Sequence, residues 1–378
     1  MTMVAAKAVR TRELEYLRRC VEEGDIALNG KAVREFESAF AKWHGGGEAI
    51  ATDSGTSAIH LALAALGAGA GDVVLCPAIN FVGAVNPIRY CGADPFFLGV
   101  EEETLNLDPA VLATFLRESC VRASNALRLR STGQRVAAVL VSGLDGTPAA
   151  LAAIGPLADQ YGLPVVDDAA ECLGAVRDGA FAGTRADAAC FSFNTNKIIT
   201  TAGGGMVLCQ SQSLAARCRH LRAHACADNF EYRHDAIGFN YRMSSLCAAV
   251  GLAQLEQLEV RLDESRHRAQ LLASLLGGDI EVTPAPDNCT PSAWMTRCRT
   301  RAADDLIARL RRLASEGIPV RPVWSPVRRS NPYAAAPYFG AGREDEFHRT
   351  SFCFKTSNRL SDGQLHYAAE RIQREFAR

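Results

Sequence analysis

An α/β fold, with a mostly parallel sheet covered on both faces by helices and a smaller α+β domain behind it, is predicted by three features of the sequence. Short apolar runs recur at residues 49–52, 73–76, 95–98, 136–140 and 164–166, bounded by turn-forming Gly, Pro, Asp or Ser. Helix-like stretches such as 109–117 and 149–161 separate them, and strands that alternate with helices pair in parallel. Near residue 256 the texture changes to a long charged helix, 256–276, and then to Pro-rich, short-strand sequence around 280–286 and 318–326. The expected organisation is an N-terminal helical segment over 1–24, a large domain over 25–255 and a small C-terminal domain over 256–378.

The 378 residues are ample for such a core. Lys+Arg total 41 and Asp+Glu 42, a net charge of -1, so no global basic field exists to hold a nucleic acid or an anionic membrane. The 13 cysteines are an odd count without a C-x-x-C pair. They read as reduced, buried small hydrophobes rather than disulfides or metal ligands, so no metal is expected. Leu14, Leu17 and Val21 recur at helical period near the N-terminus, which lacks the uninterrupted apolar core of a signal peptide. The most apolar window, 58–70, is short and carries His60, well below the roughly 20 apolar residues that span a bilayer. A cytoplasmic location is the expectation.

In chain order, Val33, Phe36, Phe40 and Trp43 give one apolar helix face that ends at Gly45-Gly46-Gly47. Residues 49–52 read as a strand, 53–57 as a turn and 58–66 as a helix, with a glycine-rich helix-to-strand turn at 67–71. Two further strands, 188–193 and 205–209, bracket a polar loop. The Arg-rich stretch 297–312 is interleaved with Asp304 and Asp305, which predicts a solvated helix rather than a nucleic-acid surface.

Three places carry chemistry. Ser54-Gly55-Thr56-Ser57 precedes a helix, and its small residues suit either a simple N-cap or an anion held by backbone N–H groups. Asp167-Asp168 closes an apolar parallel-type strand, where open α/β sheets bind ligands; a helix-capping carboxylate is the other reading. Lys197 lies between an apolar strand and Gly203-Gly204-Gly205, flanked by amides and hydroxyls. Burial there lowers a lysine pKa toward a nucleophilic amine.

Taken together, Ser54-Gly55-Thr56, Asp168-Ala169-Ala170, Ser192-Phe193 with Lys197, Gly203-Gly204-Gly205 and 238–243 (Gly-Phe-Asn-Tyr-Arg-Met) resemble the DegT/StrS sugar aminotransferases, pyridoxal phosphate (PLP) enzymes of fold type I. Order and spacing agree over about residues 25 to 375. Residues 193–201 and 234–242 look most like members acting on nucleotide-linked 4-keto-6-deoxy sugars, as in perosamine, bacillosamine and legionaminic acid pathways.

The resemblance implies a fold type I large domain and roles residue by residue. Lys197 is the Schiff-base lysine and proton carrier, Asp168 the partner of the pyridinium nitrogen, and Phe81 the aromatic on the pyridine face. Gly55 and Thr56 amides and the Ser192 hydroxyl hold the phosphate, with Asn240 reaching in from a second subunit, which implies a homodimer with a shared site. Asn29 and Arg321 match segments near the sugar-nucleotide cleft. The implied reaction moves an amino group from L-glutamate to the C4 ketone of the sugar. A second reading keeps the fold and takes a cyclitol or aminoshikimate-type cyclic ketone as substrate of an aminotransferase or dehydratase; the family's sugar 3-dehydratases carry His where this chain has Lys197. A third, a regulator on a degenerate fold, is opposed by the intact Lys197 and Asp168.

Three departures are visible. Glu171 stands where the family often has Gln facing the cofactor's phenolic oxygen, so its carboxyl is expected to be protonated or turned to another donor. Arg328, counted among the substrate contacts, stands where related sequences usually have His, and the loop 142–148 lacks the family's usual histidine.

Overall fold

The computed structural model describes residues 11–301, 304–357 and 360–377. The first ten residues of the expected N-terminal helical segment lie outside these. Thr11–Glu22 forms a helix, α1, and Lys31–Trp43 a second, α2, which buries Val33, Phe36 and Phe40 as their spacing dictates.

The central sheet is built from Glu48–Thr52 (β1), Asp72–Pro77 (β2), Asp94–Leu98 (β3), Arg135–Ser142 (β4), Val165–Asp168 (β5), Ala188–Ser192 (β6) and Gly205–Cys209 (β7). Its order is β1-β7-β6-β5-β4-β2-β3. Along this order β7 opposes its neighbours, and from β6 to β3 the pairs are parallel; a hairpin of Cys120–Ala123 and Ala126–Leu129 adds antiparallel to the start of β4. A short strand, Tyr338–Phe339, returns from the C-terminal part of the chain to extend β3 in parallel. β2 and β7 are buried at every residue, as strands covered on both faces must be. Helix Gly55–Ala65 (α3) follows β1 directly, and its Ala58, Ile59, Leu61 and Ala62 belong to the core against the sheet.

A second sheet of four antiparallel strands combines Ile280–Val282 (β8), Thr296–Thr300 (β9), Val320–Pro322 (β10) and Ser351–Phe354 (β11) in the order β8-β9-β11-β10. Cys298, Val320, Phe352 and Phe354 bury one face against helices Leu258–Leu275, Leu306–Ser315 and Asp362–Phe376. By strand alternation Arg297, Arg321 and Cys353 take the other face, where Cys353 joins Leu144 and Ile79 of the central-sheet loops in a small apolar cluster. The solvated helix expected over 297–312 is therefore corrected. Only its second half is helical, because Thr296-Arg297-Cys298-Arg299-Thr300 alternates at period two and buries Thr296, Cys298 and Thr300. Among the described residues no helix is long and apolar enough to cross a membrane.

Candidate active site

The carboxyl ends of β1, β2, β5 and β6 all open toward one cavity of about 360 Å³, the position at which open α/β sheets bind ligands. Gly55 and Thr56 follow β1, Phe81 follows β2, Asp168 ends β5 with Glu171 in the loop after it, and Ser192 ends β6 with Lys197 in the loop after it. All seven line the cavity.

One end is made for an anion. Ser54 caps α3 by accepting the Ser57 N–H at 3.1 Å, while the Gly55 and Thr56 amides belong to the first turn, which has no acceptors within its own helix. The approach is close: a Cβ on Gly55 would stand 2.8 Å from the Ser192 Cβ, and one on Gly205 would stand 2.4 Å from the Ser54 carbonyl oxygen. Glycine at both positions brings amides and the Ser192 hydroxyl around one point.

The centre is charged and buried. Lys197 Nζ lies 3.7 Å from Glu171 Oε1 and 4.1 Å from the Trp294 ring centre, an arrangement in which the ring face favours the cation. Trp294 is itself fixed by its indole N–H, which donates to the Asn196 carbonyl at 2.8 Å. Burial pushes the Asp168 carboxyl up to about 6 against the pull of Lys197. Burial also pushes Glu171 up to about 8, again opposed by Lys197. Glu171 Oε2 accepts the Asp145 N–H at 2.8 Å, leaving Oε1 toward the lysine. Asp145 has φ +59°, its Oδ1 accepts from Cys353 Sγ at 3.1 Å, and its Oδ2 faces Arg297 at 3.5 Å. The second sheet is thereby tied to the cavity floor.

The roof is aromatic, with the Phe81 and Trp324 ring centres 5.0 Å apart. Gly83 makes room beneath, since a Cβ there would meet the Phe81 ring at 2.6 Å.

The other named residues lie outside the cavity lining. Asn29 (φ +65°) accepts from Arg222 at 2.8 Å. Arg321 is exposed on β10, and Arg328 is exposed with its guanidinium 5.5 Å from the Tyr338 ring centre. Asn240 is exposed and accepts from Arg242 at 3.1 Å. Sequence reasoning had no role for Trp294, Asp145, Asn194 and Asn196. Trp294, one of only three tryptophans, was the strongest signal passed over.

Residues 7–373 match the DegT/DnrJ/EryC1/StrS aminotransferase family. The chain is 33% identical over 316 residues to GDP-perosamine synthase of Escherichia coli O157:H7, covering 84% of this chain and 82% of that protein. It is 34% identical over 360 residues to the putative pyridoxal phosphate-dependent aminotransferase EpsN of Bacillus subtilis (strain 168), covering 93% and 90%. Among solved structures, the aminotransferase TlmJ from Streptoalloteichus hindustanus superposes with TM-score 0.87 at 27% identity over 97% of this chain and 96% of that one. DesI, solved in the presence of its TDP-sugar product, gives 0.86 at 25% identity over 99% and 92%. With this match along nearly its whole length, the chain belongs to the DegT/DnrJ/EryC1/StrS family of PLP-dependent aminotransferases.

Proposed function

We propose that the protein transfers the amino group of L-glutamate to the C4 ketone of a nucleotide-linked 4-keto-6-deoxy sugar. The observation that carries this is a single cavity joining an anion cradle, the buried Asp168 carboxyl and the Lys197 amine. Similarity to GDP-perosamine synthases and to DesI supports a sugar-nucleotide acceptor.

The residues fit PLP. The Gly55 and Thr56 amides and the Ser192 hydroxyl would hold its phosphate, Asp168 its ring nitrogen, and Phe81 one ring face. When bound, PLP supplies an electron sink that acidifies the C–H bond of the amine-bearing carbon. The chain does the rest. Lys197 Nζ would accept the proton from that carbon and deliver it to the cofactor carbon joined to the same nitrogen. Asp168, acting as a carboxylate, keeps a proton on the ring nitrogen. Glu171, its Oε2 fixed by the Asp145 amide, presents Oε1 as a neutral acid beside Lys197. Trp294 and Trp324 keep water from the amine.

The working unit in this reading is a homodimer in which Asn240 completes the partner's cavity. Its exposure, outside its own chain's cavity and near the exposed Phe230, Tyr232 and Ile237, supports that arrangement. The test is formation of 2-oxoglutarate from L-glutamate with a panel of nucleotide ketosugars and cyclitol ketones. Turnover with a 4-keto-6-deoxy sugar nucleotide, reduced on the order of 10³-fold or more in Lys197→Ala, is expected. Turnover confined to cyclitol ketones contradicts the acceptor.

A further inference from the structure

A second lysine stands near the first. Lys355 follows β11, and its N–H donates to the Pro319 carbonyl at 2.9 Å, prolonging the pairing of β11 with β10. Strand alternation puts Lys355 on the face of Cys353 and Arg321, the face that Cys353 presents to Asp145 under Glu171. The next two residues fix this segment to the cavity wall. Thr356 Oγ1 donates to the Ala293 carbonyl at 2.7 Å, and the Ser357 N–H donates to the Trp294 carbonyl at 3.2 Å. Trp294 is the residue whose ring lies against Lys197 Nζ. Lys355 is half-buried. Among the described residues no carboxylate pairs with Lys355 or with Arg321. Burial, then the Lys197 and Arg321 cations, hold the Lys355 ammonium below its usual range. Two cations on one sheet face, joined through Thr356 and Ser357 to the segment that carries Trp294 and without a carboxylate partner among the described residues, describe a place for an anion.

We propose that Lys355 and Arg321 bind a carboxylate of the amino-acid donor, a subsite that rests on the aminotransferase reading of the Lys197 cavity. Chemistry selects the donor over the sugar nucleotide. A carboxylate of the donor is bonded to the same carbon as the reacting nitrogen, so it must lie close to Lys197 whenever that nitrogen does. The diphosphate of the acceptor hangs from the anomeric carbon, across the ring from C4. The ammonium of Lys355 and the guanidinium of Arg321 then act as a charge-assisted pair of donors to one oxyanion.

The test uses the PLP-loaded enzyme and three readouts: glutarate binding by calorimetry, spectral conversion of the bound cofactor by L-glutamate alone, and steady-state KM for each substrate. In Lys355→Gln, glutarate affinity falls and KM for L-glutamate rises about tenfold or more, KM for the ketosugar stays within about twofold, and Lys355→Arg restores most of the loss. Unchanged donor KM and glutarate affinity overturn the subsite, as does a ketosugar KM that rises by the same factor. No cofactor conversion by the wild type with any amino acid overturns the aminotransferase reading and the subsite with it. Conversion whose donor dependence Lys355→Gln leaves intact overturns the subsite alone.

Discussion

The two walls of the cavity are built from different materials. The wall made by the central sheet uses backbone amides, glycines and short side chains at the ends of parallel strands, with contacts that leave no room for a methyl group at Gly55 or Gly205. The wall turned in by the second sheet uses the large side chains of Trp294 and Trp324, with Arg297 held behind it against Asp145 and with Arg321 and Lys355 on the same face of that sheet. A wall of backbone is specified by the fold and admits few substitutions. A wall of long side chains can be rewritten while the strands beneath it keep their register. The first suits a cofactor shared by a family, and the second suits substrates that differ between its members.

Gly55→Ala acts on the first wall and carries the largest expected effect. The added Cβ, 2.8 Å from the Ser192 Cβ, forces the α3 N-terminus away from β6. Overpacking of this kind costs about 1–3 kcal/mol, and cofactor affinity is expected to fall about 10- to 100-fold by fluorescence titration. An unchanged affinity breaks the comparison. Trp324→Ala acts on the second wall. Losing an indole that lines the cavity should raise the acceptor KM about tenfold, roughly 1.4 kcal/mol, with cofactor affinity unchanged. If cofactor affinity falls instead, the walls are not separable.

The smallest effect lies behind the first wall. Asp167 is buried beside Asp168 on β5, and burial, then the Asp168 charge, push its carboxyl up to about 7. The folded chain therefore favours the neutral acid. This contribution is fully present below the unfolded value near pH 4 and is lost as pH rises through about 7. Asp167→Asn removes that loss, so its Tm should exceed that of the wild type by roughly 2–4 °C at pH 8, with the gap closing toward pH 5. A gap that widens on acidification contradicts the assignment.

How much of this was legible in the sequence follows the same division. Gly55, Asp168, Ser192 and Lys197 lie at or just beyond the ends of apolar strands, and a chemically conspicuous residue at a strand's carboxyl end announces itself without knowledge of its neighbours. Trp294 reaches the cavity, and Lys355 the segment behind it, only through contacts between distant stretches of chain, which no local pattern encodes. Asp145 stands in the loop 142–148, which the sequence marks only by a missing histidine. Its work depends on Glu171, Arg297 and Cys353, residues 26 to 208 positions away. The Arg-rich stretch misled for a related reason: charge interleaving suggested a solvated helix, while the buried Asp145 carboxylate gave Arg297 a partner inside.

The claim on which all of this depends is that Lys197, and not its neighbour Lys355, carries the cofactor. Borohydride reduction of the PLP-loaded enzyme followed by peptide mass mapping tests it most directly. The pyridoxyl phosphate label is expected on the peptide containing Lys197 and on no other, and its absence there, or its appearance on Lys355, contradicts the account.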